Sequence, residues 1–391
     1  MITATTGTRP VLHGLHRLGG WLDDRSVRDT TLLIDAGIAG GPIAAEVAEQ
    51  LSATGRRVHR VTLPDGGDID SVLALGSRLR HTGLVVGVGG GSLLDQAKLA
   101  ALVAADPKVA ARLTVPQRSG LTVLPFEEGH SIPVVAVPTT VGTGAEVSAV
   151  ACLRYTDAKR LVISPALRPA AAVLDPLATT GLPSHLLAEG VLEALFRAVS
   201  PYVGDHRDLP EADAASEVLA AQLVRLGDRV TGDLAAGRAA TDADRQRIAV
   251  LSGWGHSPDL QRGRDPYAVK GWLVANELSS ALGIRKMTAV AATLPRLWRA
   301  IGAGETRLGS ATRLDRMWTV VRSASCHDLP LDPADGVTAL IGRWRIAHAI
   351  EADDTLLATV ARQTVRRWGA GLPMLGGLGA AELRALLPTP A

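Results

Sequence analysis

The stretch Leu84-Val-Val-Gly-Val-Gly-Gly-Gly-Ser-Leu-Leu-Asp-Gln-Ala-Lys98 decides how the rest of the chain is read. Leu84 to Val88 form a short apolar run, the pattern of a strand buried on both faces of a parallel sheet. Gly89, Gly90 and Gly91 follow without a break. Ser92 then stands where a helix through Asp95, Ala97 and Lys98 would be capped. Strand, glycine turn and helix start together make an anion site. Glycines let backbone N–H groups approach a phosphate, and the helix end presents unpaired donors and a positive dipole. The spacing is neither a phosphate-loop GxxxxGK[ST] nor a Rossmann GxGxxG. On these residues alone a tight turn explains the glycines equally well.

Working outward, the flanks alternate between strand and helix. Residues 1–30 form a lead-in with an early strand near Pro10-Val-Leu12. Thr31-Leu-Leu-Ile-Asp35 reads as a strand ending on an acid. Helical patterns cover 41–54 and 68–81, with a strand at Val58 to Thr62 between them. Residues 106–130 read as irregular, and Pro133-Val-Val-Ala-Val-Pro138 as a short buried strand. Residues 160–164 and 171–175 read as edge strands. Such alternation implies an α/β, doubly wound parallel sheet. After Pro183 the texture changes. From Ser184 onward Ala, Leu, Arg and Glu dominate, with apolar residues at helical spacing. Breaks are expected near 204–209, 237–241, 257–266, 302–305, 328–333 and 371–378. The expected division is an α/β nucleotide-binding domain over 1–183 and an all-helical domain over 184–391, with the cofactor cleft between them.

With 391 residues the chain is long enough for both cores. It is 47% hydrophobic and 20% charged, an ordinary globular balance. The net charge is +2 and the basic residues form no run, which argues against nucleic acid and membrane surfaces as partners. Cys152 and Cys326 are the only cysteines, too few and too far apart for a disulfide framework or a thiolate metal cluster. The N-terminus lacks a charged-then-apolar signal and no apolar run reaches a membrane span, so the expected location is the cytoplasm.

Two further features carry chemistry. Asp35 ends its strand where a carboxylate can accept from both ribose hydroxyls of an adenosine and repel a 2′-phosphate; the alternative is a helix cap. Val137-Pro-Thr-Thr-Val-Gly-Thr-Gly-Ala-Glu-Val147 follows a strand and is rich in hydroxyls and glycine, with Thr139, Thr140 and Thr143 as donors. Together, Gly89-Gly-Gly-Ser-x-x-Asp-x-Ala-Lys98 and Pro138-Thr-Thr-x-Gly-Thr-Gly-x-Glu146 resemble the iron-containing alcohol dehydrogenase and dehydroquinate synthase-like superfamily. Lys159-Arg-Leu-Val-Ile-Ser-Pro, Pro169, Val173-Leu-Asp-Pro176 and Leu182-Pro183 follow that family's order. Gly190-Val-Leu-Glu-Ala-Leu-Phe-Arg197 stands where the family opens its metal-binding helix. The resemblance implies NAD(P) in the cleft. The cofactor would be held by Asp35, Gly89, Gly90, Gly91, Ser92, Asp95, Thr139, Thr140, Thr143 and Lys159.

The departures from the family matter more. The resemblance implies one divalent metal, bound by an acid and a histidine one turn later, then by two later histidines. Here the acid is Glu193 but the next position is Arg197. Counting back from Leu294-Pro295, the later pair falls on Trp272 and Lys286, and an additional active-site histidine falls on Asn276. Arg cannot ligate, Trp has only a donor, and Lys would have to lose its proton. One carboxylate cannot hold Zn²⁺ or Fe²⁺. The expectation is therefore no metal. Arg197 and Lys286 should converge on one small volume and bind an anionic group, with Glu193 neutralising one charge; the bland alternative is an i,i+4 ion pair between Glu193 and Arg197. His256, in Ser252-Gly-Trp-Gly-His-Ser257, is an acid or base candidate, or a structural side chain. His185 reads as a helix start, and Trp272 as core packing or a wall of the site.

Three functions follow as expectations. The first is a metal-independent, NAD-dependent oxidoreductase acting on a hydroxyl near a carboxylate. Its substrate is a small molecule or a peptide. A group similar to this family, associated with daptide-type peptide biosynthesis, oxidises a C-terminal threonine toward decarboxylation, and that substrate suits Arg197 and Lys286. The others are a non-catalytic NAD-binding partner subunit and a dehydroquinate synthase-like cyclase. A homo-oligomer is expected in each case.

Overall fold

The computed structural model describes residues 9–23, 25–64, 66–156 and 158–389; the first eight residues of the lead-in lie outside them. The α/β half runs β1 (Val11–His13), α1 (Arg17–Asp23), β2 (Asp29–Asp35), α2 (Pro42–Ala53), β3 (Arg57–Leu63), α3 (Ile69–Arg78), β4 (Leu84–Gly89), α4 (Gly91–Ala105) and α5 (Pro107–Thr114). It continues with β5 (Leu121–Val123), β6 (Val134–Pro138), β7 (Val150–Arg154), β8 (Lys159–Ile163) and β9 (Ala171–Leu174). Beyond β9 the described regular elements are helical. They are α6 (Ser184–Gly204), α7 (Pro210–Ala235), α8 (Asp242–Trp254), α9 (Pro258–Gln261), α10 (Lys270–Leu282), α11 (Lys286–Gly302), α12 (Ala311–Ala324), α13 (Pro333–Arg343), α14 (Asp354–Trp368) and α15 (Ala380–Leu386).

Six strands form a parallel sheet in the order β1-β9-β6-β4-β2-β3. All six residues of β4 are buried, so its apolar run reflects helices on both faces. One face packs Leu32, Ile34, Val86 and Val88 against α1 and α2, through Leu18, Leu22 and Val47. The other packs Leu33 and Val85 against α3 and α4, through Leu75, Leu94 and Ala97. The chain places β3 outside β2, then crosses back to lay β4 on the other side. That reversal opens a crevice at the carboxyl ends of β2 and β4, where Asp35 and the glycine turn sit. The core of the helical half runs from Leu187 to Leu387 and takes in Val141 and Leu174 from the α/β half.

Several local expectations are corrected. Gly90, in an extended conformation (φ −72°), is the N-cap of α4, and Ser92 lies inside the helix. The turn after β4 needs only that one extended residue, so the helix starts earlier. Residues 106–130 are not irregular throughout. Asp106 caps α5 by accepting from the Lys108 N–H, with Pro107 in the first turn, a helix-start signal. β5 then pairs with β8. Neither 159–163 nor 171–174 is an edge: β8 lies between β5 and β7 in a second sheet, and β9 between β1 and β6. Helix α6 opens at Ser184, with His185 in its first turn, and Gly190 lies inside it. Two further breaks interrupt the helical half. Left-handed Gly283 ends α10, and α13 stops before Arg345, which has φ 54°. Among the described residues no helix is long and apolar enough to cross a membrane.

Candidate functional site

A cavity of about 1140 Å³ lies between the two halves. Its walls include Asp35, Gly90, Gly91, Ser92, Asp95, Thr140, Thr143, Lys159, Glu193, Arg197, His256, Trp272, Asn276 and Lys286. The structure thus brings most of the sequence-predicted site residues to one space. Gly89 and Thr139 stand back from it: the Thr139 N–H donates to the Gly89 carbonyl, which extends the β4–β6 ladder.

The α/β wall is built mainly from backbone. Leu94 makes the first intrahelical bond of α4, to the Gly90 carbonyl, and no side chain caps the helix. The preceding N–H groups of Gly91, Ser92 and Leu93 therefore lack intrahelical partners at a positive dipole end. Thr140 Oγ1 is buried beside them with no hydrogen-bond partner. Asp35 accepts from the Gly37 N–H through Oδ1 (2.8 Å), so it is a cap and a cavity wall at once. This wall fits an anionic nucleotide such as NAD.

Asp95 plays a mixed part. Its Oδ2 accepts from the Cys152 N–H (2.9 Å), and its Oδ1 lies 2.9 Å from Lys98 Nζ. Lys98 is itself 1% exposed and donates to the carbonyls of Ala145 and Val150. Asp95 and Lys98 thereby tie α4 to the loop after β6 and to β7.

That loop is pressed onto the helical half at two glycines. A Cβ on Gly142 (φ +98°) would lie 2.5 Å from the Gly190 carbonyl oxygen, and one on Gly190 would strike Val141. The Gly142 N–H also donates to Ser252 Oγ. Next, Gly144 (φ +60°) leaves room for His256, whose Nε2 sits 3.0 Å from the Thr143 carbonyl. Burial, then the nearby Arg197 charge, holds the His256 imidazole well below its ordinary pKa. A neutral ring donating to Thr143 fastens the loop; no other described contact commits it to proton transfer.

The helical wall is built from side chains. Along α6 every residue from Leu187 to Gly204 is buried except Arg197. Its guanidinium Nη2 donates to Glu193 Oε1 at 3.2 Å, and Lys286 Nζ lies 4.0 Å from the same oxygen. Arg197 and Lys286 also stand over the Trp272 ring, at 4.9 and 5.5 Å from its centroid, while Trp272 packs on Phe196. The i,i+4 bridge and the convergence of both cations are therefore both present. Trp272 is a half-buried cavity wall rather than plain core packing. Burial pulls the Arg197 guanidinium down while Glu193 holds it up. Arg197 Nε and Asn276 Nδ2 are buried without a hydrogen-bond partner.

This donor set does not fit a divalent metal. One carboxylate is flanked by two cations and an indole, and the nearby imidazole of His256 is turned to a carbonyl. Among the described residues, the one grouping of three ligand atoms close enough for a metal lies outside the cavity walls.

Some wall residues escaped the sequence reading. Gly66 and Gly67, just after β3, line the crevice, and a glycine pair after a strand was a legible signal. Arg285 forms a forked pair with buried Glu189 (2.7 and 3.0 Å), which no local pattern announces. Burial pushes the Glu146 carboxyl up to about 7, against its own backbone hydrogen bond and the charges of Lys98 and Arg197.

Residues 12–176 match the family profile described as iron-containing alcohol dehydrogenase. The chain is 37% identical over 147 residues to long-chain-alcohol dehydrogenase 1 of Geobacillus thermodenitrificans, covering 37% of this chain and 34% of that one. It is 36% identical over 169 residues to phosphonoacetaldehyde reductase of Streptomyces viridochromogenes, covering 42% of each. These alignments span only about a third to two fifths of the relatives. The fold extends over the whole chain: NADH-dependent butanol dehydrogenase A of Thermotoga maritima superposes with a TM-score of 0.80, over 99% of this chain and 98% of that one, at 15% identity.

Proposed function

We propose, from the iron-containing alcohol dehydrogenase signature of residues 12–176 and the cation cluster facing it, that this chain is an NAD-dependent alcohol dehydrogenase-like oxidoreductase. We assign it a hydroxyl beside a carboxylate as substrate, and no metal in the cleft. The observation that carries the reading is Glu193 Oε1 shared by Arg197 and Lys286 over Trp272. Two cations and one carboxylate leave about one positive charge on a partly exposed wall, with the Arg197 side chain 23% and the Lys286 side chain 39% exposed, where it can attract an anion. The unpartnered Arg197 Nε and Asn276 Nδ2 point the same way, as donors without acceptors. Similarity to a phosphonoacetaldehyde reductase, named for an anionic substrate, agrees with it.

In this reading the N-terminus of α4 holds the NAD pyrophosphate, Asp35 the adenosine ribose, and Thr140 and Thr143 the length of the cofactor. Bound there, NAD supplies the hydride acceptor. Arg197 and Lys286 orient the carboxylate, and Asn276 donates to the reacting oxygen. The fixed cations stabilise developing negative charge, a task elsewhere given to a metal. The narrower substrate is a peptide ending in threonine. Oxidation of its β-hydroxyl gives a β-keto acid, from which the carboxyl leaves as CO₂.

The test is NADH formation with a panel of hydroxy acids, each beside its amide. Turnover of acids well above amides supports the reading; equal turnover, or none with any hydroxy acid, removes it. Calorimetry with both cofactors checks Asp35: NADP(H) binding as tightly as NAD(H) would take it out of the ribose role.

A further inference from the structure

We infer that Asp228, Cys326 and His327 form a site for a thiophilic divalent cation of the zinc class, on the helical half and away from the cleft. Asp228 lies in α7; Cys326 and His327 follow α12. One ligand atom from each lies within 4.8 Å of the other two. None of the three lines the cavity.

The carboxylate is what makes this more than a chance grouping. The Asp228 side chain is 2% exposed. Oδ1 accepts from Trp344 Nε1 (2.8 Å), and Oδ2 accepts from Ser325 Oγ (2.7 Å) and the Cys326 N–H (2.8 Å). All three donors are neutral. Among the described residues no lysine or arginine pairs with Asp228; the nearest cationic candidate is His327, with Nε2 3.8 Å from Oδ1. A buried carboxylate without a countercharge is costly. Three donors fill three of its four lone-pair positions and fix its orientation, as outer partners do for metal-binding carboxylates. The Cys326 thiol is also hydrogen-bonded to this carboxyl, a bond that a metal would replace, and His327 Nε2 lies 3.8 Å from Oδ1.

Thiolate, imidazole and carboxylate are a borderline-soft set that selects Zn²⁺ or Co²⁺ over Mg²⁺ or Ca²⁺. Bonds of about 2.0–2.3 Å place tetrahedral ligands roughly 3.3–3.7 Å apart. The contraction required is small and falls on exposed Cys326 and on His327, 29% exposed. Water would complete the shell. Binding transfers the Cys326 thiol proton to solvent as the sulfur–metal bond forms. The ion would join α7 to the segment after α12 and, through Trp344, to the end of α13.

The experiment is titration of chelator-stripped, reduced full-length protein with Co²⁺. One equivalent should give a sulfur-to-cobalt charge-transfer band and tetrahedral d–d absorption, both removed by Zn²⁺ and untouched by Mg²⁺. Cys326→Ser should lose the charge-transfer band, and His327→Gln should weaken binding at least ~10-fold, with circular dichroism and NAD binding unchanged in both. Absence of the band in the native chain, or its persistence in Cys326→Ser, overturns the site. The same variants separate this site from the cleft: zinc lost in Cys326→Ser belongs here, whereas zinc retained in both and tracking activity belongs to the cleft and would sink the metal-free reading.

Discussion

The two walls of the cavity are built by opposite means. The α/β wall presents backbone: a strand end, an extended glycine and a start of α4 that no side chain caps. The helical wall presents side chains from α6, α10 and α11, gathered around one carboxylate oxygen and one indole. Backbone donors bind any phosphate and tolerate few side chains. Side-chain clusters can change their chemistry while the helices that carry them stay in place. The family signature covers residues 12–176 and ends before the helical wall, while the fold continues to the end of the chain.

The contrast is broken most severely by putting a side chain into the backbone wall. Gly90→Val should weaken NAD binding by ~100-fold or more, because its methyls would crowd the anion position beside α4. Its Cβ alone would sit 3.3 Å from Thr140 Cγ2, and its φ of −72° means that backbone strain plays no part. Unchanged affinity in the folded variant, measured by calorimetry, would move the phosphate site elsewhere.

On the other wall, Arg197→Met and Lys286→Met should each cost an acidic substrate about one to two decades in kcat/KM. A charge-assisted hydrogen bond is worth roughly 1.5–3 kcal/mol. The matching amide and NAD affinity should change little. Equal losses on acid and amide would reduce the Glu193–Arg197 pair to a structural bridge.

The seam between the walls is tested by Gly142→Ala. A left-handed φ and a Cβ 2.5 Å from the Gly190 oxygen predict a loss of about 1–3 kcal/mol and a Tm lower by ~1–4 °C. A native Tm would mean that the loop can leave α6 without cost.

The smallest effect is electrostatic. Glu146 has its pKa raised from 4.5 to about 7, so its folded form holds the proton more tightly. The stability this contributes is complete below pH 4.5 and is lost as pH rises to about 7. Over the upper part of that window its new negative charge partly offsets Arg197, so KM for an acid should rise a few-fold through pH 7. Glu146→Gln should flatten that rise; an unaltered profile would assign it to another group.

How much was legible differs between the walls for the same reason. The buried run Leu84 to Val88, the glycines after it and Asp35 at the end of β2 are contiguous signals, and the sheet follows from their alternation with helices. Arg197 and Lys286 stand out in the sequence only through a family resemblance, which implies that they fall at metal-ligand positions. Their shared contact with Glu193 is a fact of α6 and α11 packing. Gly142 and Gly190 read as ordinary small residues until the fold sets them against each other. Arg285 and Glu189 lie far apart in sequence, and nothing local pairs them.

The sequence by itself determined the strand–helix alternation, the glycine turn after β4 and the change to helices at Ser184, because period, glycine spacing and β-content are local properties of the chain. Tertiary structure decided that Gly90 rather than Ser92 caps α4, that β8 and β9 lie inside their sheets, and that two cations share one carboxylate. Each of these depends on which distant segment arrives alongside, and burial and charge become definite only once that neighbour is in place.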